Sequence, residues 1–135
     1  MRAIKKIPVK TAVMVNVACI LIVLAFHLLV IARVIPFFWI NGGRSESFQA
    51  QRQLSFSSVW ILLGMAAINF CALKKAWKPK AAGIVLTALF WLLFAYSLFG
   101  TAQQLLGTVF EKLCMSLLCI ANALMYFRLA VEKRW

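Results

Sequence analysis

Four long apolar runs separated by short polar stretches occupy nearly all of this 135-residue chain. A membrane-spanning helix needs about 20 mostly apolar residues. Runs of that length lie at roughly Thr11–Ile35, Leu54–Leu73, Ala81–Phe99 and Val109–Leu129. With 64% hydrophobic and 13% charged residues, the chain has little material left for a water-soluble domain. The expected fold is an all-α membrane protein: a single domain over residues 1–135, built as an antiparallel bundle of four transmembrane helices.

The first run follows Arg2, Lys5, Lys6 and Lys10, as a signal peptide would. Its apolar stretch exceeds the usual signal core of about 7–15 residues, and no small-residue cleavage site follows, so it is read as a retained span.

The net charge of +12 is unevenly distributed. Arg2, Lys5, Lys6 and Lys10 precede the first span. Lys74, Lys75, Lys78 and Lys80 separate the second and third, and Arg128, Lys133 and Arg134 follow the fourth. The other side carries Arg44, Arg52 and Lys112, with Arg33 near the end of the first span. The positive-inside rule then predicts both termini in the cytoplasm and two loops outside. The basic side should attract anionic lipid headgroups, at about 1 kcal/mol per Lys or Arg near the surface. Charge spread in this way speaks for lipid and against nucleic acid.

Turn signals mark the ends of the spans. Pro36 should stop the first helix at Ile35. Phe37, Phe38 and Trp39 suit a bilayer interface, and Asn41-Gly42-Gly43 reads as a turn. A polar segment without proline or glycine runs from Arg44 to Ser58, so one helix is expected from about Ser45 to Trp77. Trp77-Lys78-Pro79-Lys80 forms the inner turn, and residues 101–107 form a second outer loop.

No Asp, Glu, Lys or Arg lies in the middle of a span, where such a group costs about 2.5–3.5 kcal/mol. This counts against proton-coupled export and ion pumping. His27, the single histidine, is expected to hydrogen-bond to a neighbouring helix, with Tyr96 and Ser97 at similar depth. Asn16, Asn69 and Asn122 are the other strong polar groups, and Asn69 and Asn122 are expected to meet across the bundle. Gln104, Thr108, Glu111, Met115, Leu118 and Asn122 recur at helical spacing along one face. Glu46 and Glu111 are the acidic residues on the outer side, and an Arg44–Glu111 ion pair is expected to tie the outer loops together. Cys19, Cys71, Cys114 and Cys119 lack a ligand or redox spacing; no disulfide, metal site or cofactor is expected.

Two segments resemble a family of small, uncharacterised bacterial four-span membrane proteins. Ile35-Pro36-Phe37-Phe38-Trp39-Ile40-Asn41-Gly42-Gly43-Arg44 resembles that family's aromatic–Gly-Gly-Arg outer loop. Phe110-Glu111-Lys112, with the apolar run to Arg128-Leu129, resembles its last span. The family carries a further acidic residue where this chain has the Gln49–Gln53 region. The resemblance implies an architecture in the bacterial inner membrane and no biochemical activity, and it singles out Gly42, Gly43, Arg44, Glu111 and Lys112.

These features point to a non-catalytic accessory, assembly or immunity-type protein acting by contact with a membrane partner. The alternative is a small homo-oligomeric transporter or lipid-handling protein. A membrane redox subunit is disfavoured, because His27 as a haem ligand would lack a partner.

Overall fold

The structure, a computed structural model, describes residues 2–74 and 79–134. The described residues are helical or irregular, without strands. A short α1 (Arg2–Lys5) leads into α2 (Val9–Ile31), followed by α3 (Phe48–Cys71), α4 (Lys80–Leu105) and α5 (Ser116–Ala130). A π-helical turn at Glu111–Met115 runs directly into α5. Among the described residues four helical segments are long and apolar enough to cross a membrane, the fourth being Glu111–Ala130.

Helix ends follow local chemistry. Pro8 precedes α2 and Pro79 precedes α4, where a missing backbone N–H costs nothing. Ser47 caps α3 by accepting the Ala50 N–H at 3.2 Å. The α2 helix stops earlier than Pro36 would require. Arg33 adopts a left-handed φ of 58°, the Val34 N–H reaches the Leu29 carbonyl at 2.9 Å, and the Arg33 N–H reaches Val30 at 3.0 Å. That pairing is a Schellman stop, with Arg33 where glycine is usual. Its guanidinium lies 4.2 Å from the Phe48 ring centroid, which compensates for the unusual backbone.

Two other expected boundaries shift. The α3 helix begins at Phe48 rather than Ser45 and closes at Cys71; Trp77 lies outside the described residues. Most of the expected second outer loop is helical, because α4 continues through Thr101 and Gln104 to Leu105. Nothing between residues 101 and 106 breaks a helix. The Thr101 hydroxyl also satisfies itself by donating to the Ser97 carbonyl at 2.8 Å.

The α5 helix packs along both α2 and α4, and α3 packs along α2 but meets α4 only sparsely. The core forms where α2, α4 and α5 converge. Phe90 and Tyr126 stack there with ring centroids 6.2 Å apart, among Val13, Ile20, Leu86 and Leu129. Lipid offers no hydrophobic drive for helix association, so polar contacts and close packing must hold α3. Asn69 on α3 does this. Its Oδ1 accepts from Asn16 Nδ2 at 3.0 Å, and its own Nδ2 donates to the Tyr126 hydroxyl at 3.1 Å and to the Met65 carbonyl at 2.8 Å. Asn69 therefore meets Asn16 and Tyr126 and not Asn122.

The basic end is tied by arginines. Arg128 Nε donates to the Ile7 carbonyl at 2.7 Å, and Arg128 Nη1 pairs with Glu132 at 2.6 Å. Arg134 folds back over the Phe90 ring, 4.9 Å from its centroid, and donates to the Leu129 carbonyl and to the Thr87 hydroxyl. Burial pushes the Arg134 guanidinium below its ordinary pKa; the Glu132 charge opposes this shift and Arg128 adds to it. Both arginines are buried in the protein, whereas Lys5, Lys6, Lys10 and Lys133 stay exposed.

Asn69→Ala should destabilise the bundle more than Asn16→Ala, because Asn69 also holds Tyr126. A double-mutant cycle on Asn16 and Asn69, read by denaturant unfolding in detergent micelles, should give a coupling of about 0.6 kcal/mol, typical of hydrogen bonds between transmembrane helices.

Candidate functional site

The loop after α2 is built on three consecutive left-handed residues: Asn41 (φ 60°), Gly42 (φ 68°) and Gly43 (φ 65°). A Cβ at Gly43 would sit 3.2 Å from the Phe38 carbonyl oxygen, so glycine suits both the space and the backbone there. The turn carries the Gly42 N–H into the carboxylate of Glu111, 3.0 and 2.9 Å from its two oxygens. The same carboxylate accepts the Thr108 N–H at 2.8 Å, and the Thr108 hydroxyl accepts the Glu111 N–H at 3.3 Å. Thr108 and Glu111 thus form a capping box at the start of the last helix. The Thr108 hydroxyl also donates to the Trp39 carbonyl at 2.7 Å, a second tie to the loop. A side chain at Gly107 would collide with the Glu111 carboxylate. Around this clasp, Phe110 packs edge-on against Phe26 at 5.0 Å and beside Trp39 at 5.6 Å.

The expected Arg44–Glu111 ion pair is not formed. Glu111 is only 2% exposed and its anion is held by backbone N–H groups at a helix start, which stabilise charge without a cation. Arg44 follows the left-handed turn and remains exposed. Among the described residues the ion pair present is Arg128–Glu132. Glu46 and Lys112 are also exposed.

A hydrogen-bonded chain descends from the loop. Asn41 Nδ2 donates to Ser45 Oγ at 3.4 Å, Ser45 donates to Gln51 Oε1, and Gln51 Nε2 donates to Ser55 Oγ at 3.2 Å. Ser55 Oγ in turn lies 3.2 Å from His27 Nδ1. His27 therefore makes the expected interhelical hydrogen bond, but to α3 rather than to Tyr96 or Ser97 on α4. Gln51 and Ser55 are fully buried. Sequence reasoning passed over both, although Gln51, Ser55, Leu62, Met65 and Asn69 recur at helical spacing and mark the inward face of α3.

Because α3 and α4 scarcely touch, a cavity of about 380 Å³ remains between them, within the size range of small-molecule sites. Its roof is Ile40, Asn41 and Glu111, and its back wall is Val23, Phe26 and His27 from α2 with Met115, Cys119 and Asn122 from the last helix. Leu54 and Ile61 flank it on α3, and Tyr96 and Phe99 on α4; all four are exposed at the helix surface. The expected stripe converges here, since Gln104, Glu111, Met115 and Asn122 all line the cavity. Gln104 Oε1 and Asn122 Oδ1 are buried without a hydrogen-bond partner among the described residues. The pairing of Asn122 with Asn69 expected from their similar depth is not formed, because Asn69 turns to Asn16 and Tyr126. No grouping of His, Cys, Asp and Glu able to hold a metal ion occurs among the described residues.

No family model, curated protein or solved structure matches this chain.

Glu111→Ala should cost about 1–3 kcal/mol of unfolding free energy, because it leaves the half-buried N–H groups of Gly42 and Thr108 unpaired. Arg44→Ala should change it by less than about 0.5 kcal/mol. Unfolding of the two variants in the same detergent separates a backbone clasp from an ion pair: equal losses would favour the ion pair.

Proposed function

We propose that this chain is a non-catalytic, multi-pass protein of the bacterial inner membrane that acts by contact with a membrane partner, as an accessory, assembly or immunity-type component. In this reading its helices form an antiparallel bundle with both termini in the cytoplasm, so that the loop with Asn41, Gly42 and Gly43 faces outward. The charge asymmetry supports that orientation. The observation that carries the contact reading is the sparse packing of α3 against α4. An unclosed seam in the plane of the bilayer is a surface where a second membrane molecule can be received, and the Glu111 clasp and the Asn69 network hold the seam in a defined shape.

A second reading, a small homo-oligomeric transporter or lipid-handling protein, draws support from a different observation. The seam contains the amide oxygens of Gln104 and Asn122, which are unpaired among the described residues.

Photo-crosslinking residues placed at Leu54, Ile61 and Phe99 on the seam, and at Leu113 and Leu117 on the last helix, discriminate these readings. A protein adduct confined to the seam positions is the expected outcome. Adducts of equal yield from all five positions would overturn the contact reading, and adducts to a second copy of this chain would favour the oligomeric one. The orientation is checked in a cysteine-free chain. Glu46→Cys should react with a membrane-impermeant maleimide in intact spheroplasts, and Lys6→Cys only after permeabilisation.

A further inference from the structure

We infer that the cavity between α3 and α4 is a binding site for an uncharged amphiphile whose head group carries O–H or N–H donors, such as a monoacylglycerol. This inference deepens the lipid-handling reading above and rests on it.

Asn122 is 7% exposed, lies on the cavity wall and makes no side-chain hydrogen bond to any described residue. Gln104, nearer the loop end, is half-buried, but its Oε1 is buried and unpaired among the described residues. Buried amides are normally paired, and an exception calls for a cause, of which a bound molecule or water supplying the partner is one. Outside the cavity Asn16 Oδ1 and Arg134 Nε also lack a partner, but both side chains are anchored through their other nitrogens, Asn16 Nδ2 to Asn69 and the Arg134 Nη atoms to Leu129, Thr87 and Glu132, whereas Asn122 and Gln104 make no side-chain hydrogen bond to any described residue. The two unpaired amides share one cavity.

The charge of the lining selects the head group. Among the described residues no Lys or Arg borders the cavity, and its ionisable carboxylate is Glu111. An anionic phosphate or carboxylate head would meet that like charge without a compensating cation. The Glu111 charge is already stabilised by the N–H groups of Gly42 and Thr108, so it draws a cationic head less strongly than a free carboxylate would. A neutral head that donates to amide oxygens meets neither obstacle. The walls select the body: Leu54, Ile61 and Phe99 edge the seam, and Leu62, Met65 and Met115 line its depth. A single acyl chain can lie along these side chains and pass out between α3 and α4 into surrounding lipid.

The test uses the full chain in phosphatidylcholine nanodiscs with a diazirine-bearing monoacylglycerol. Labelling should be saturable, should fall on residues 54–65 and 96–104, and should be competed by monooleoylglycerol about tenfold better than by oleate or phosphatidylglycerol. Asn122→Leu should weaken that competition by about tenfold without lowering the thermal unfolding midpoint, because Asn122 bonds to nothing in the protein. Ile61→Trp, at the mouth of the seam, should reduce labelling as well. Saturable labelling that both variants leave intact overturns the assigned site. Equal or better competition by oleate or phosphatidylglycerol overturns the neutral-head inference and leaves the lipid-handling reading standing. Absence of saturable labelling together with absence of competition by any lipid overturns both, the cavity then holding bulk lipid or water only. The contact reading is judged separately by the seam crosslinks.

Discussion

Inside hydrocarbon a backbone N–H or C=O finds no water, and each one left unpaired costs several kcal/mol. Every other feature of this chain is subordinate to that constraint. The spans are uninterrupted helices, and the chain departs from helix at the ends, where side chains or turns take up the freed groups. The Schellman stop at Arg33, the Ser47 cap and the Thr108–Glu111 capping box are three solutions to one problem. Glu111 carries the solution furthest, because it satisfies the start of its own helix and the left-handed turn of a loop 69 residues earlier with one carboxylate.

Polar groups within the spans divide into two sets. Asn16, Asn69 and Tyr126 at one depth, and His27, Ser55 and Gln51 at another, pair with one another and fasten α3 to its neighbours. Gln104 and Asn122 stay unpaired at the seam that α3 leaves against α4. The first set does structural work that apolar packing cannot do in lipid, since lipid tails are as apolar as leucine. The second set adds nothing to the bundle by itself, which is why the seam draws attention as the place where this protein meets something else.

The helical period placed Glu111, Met115 and Asn122 on one face, and that face is inward. The glycines at 42 and 43 were readable as a turn because few other residues tolerate positive φ. The expected Arg44–Glu111 pair failed for a simple reason. Thr108-Val109-Phe110-Glu111 carries the capping-box signature that commits the carboxylate to its own helix start, but the second donor, the Gly42 backbone N–H, comes from a distant loop that no local pattern reveals. The partners of Asn69 and His27 were misassigned likewise: depth along a helix can be counted from sequence, whereas the rotation of each helix about its axis cannot.

What the sequence by itself determined is the set of spans and their approximate places in the chain, with ends shifted by several residues at α2, α3 and α4. These depend on local hydropathy and on the backbone preferences of proline and glycine, both properties of short windows. Which helices touch was decided only in the tertiary structure. The four spans are apolar nearly all round, so their periodicity carries a weak signal of facing direction. Close packing of Phe90 on Tyr126, the reach of Asn69 to two neighbours, and the loop drawn onto Glu111 fix those rotations together. The seam between α3 and α4 is their geometric remainder, present in no single segment of the chain.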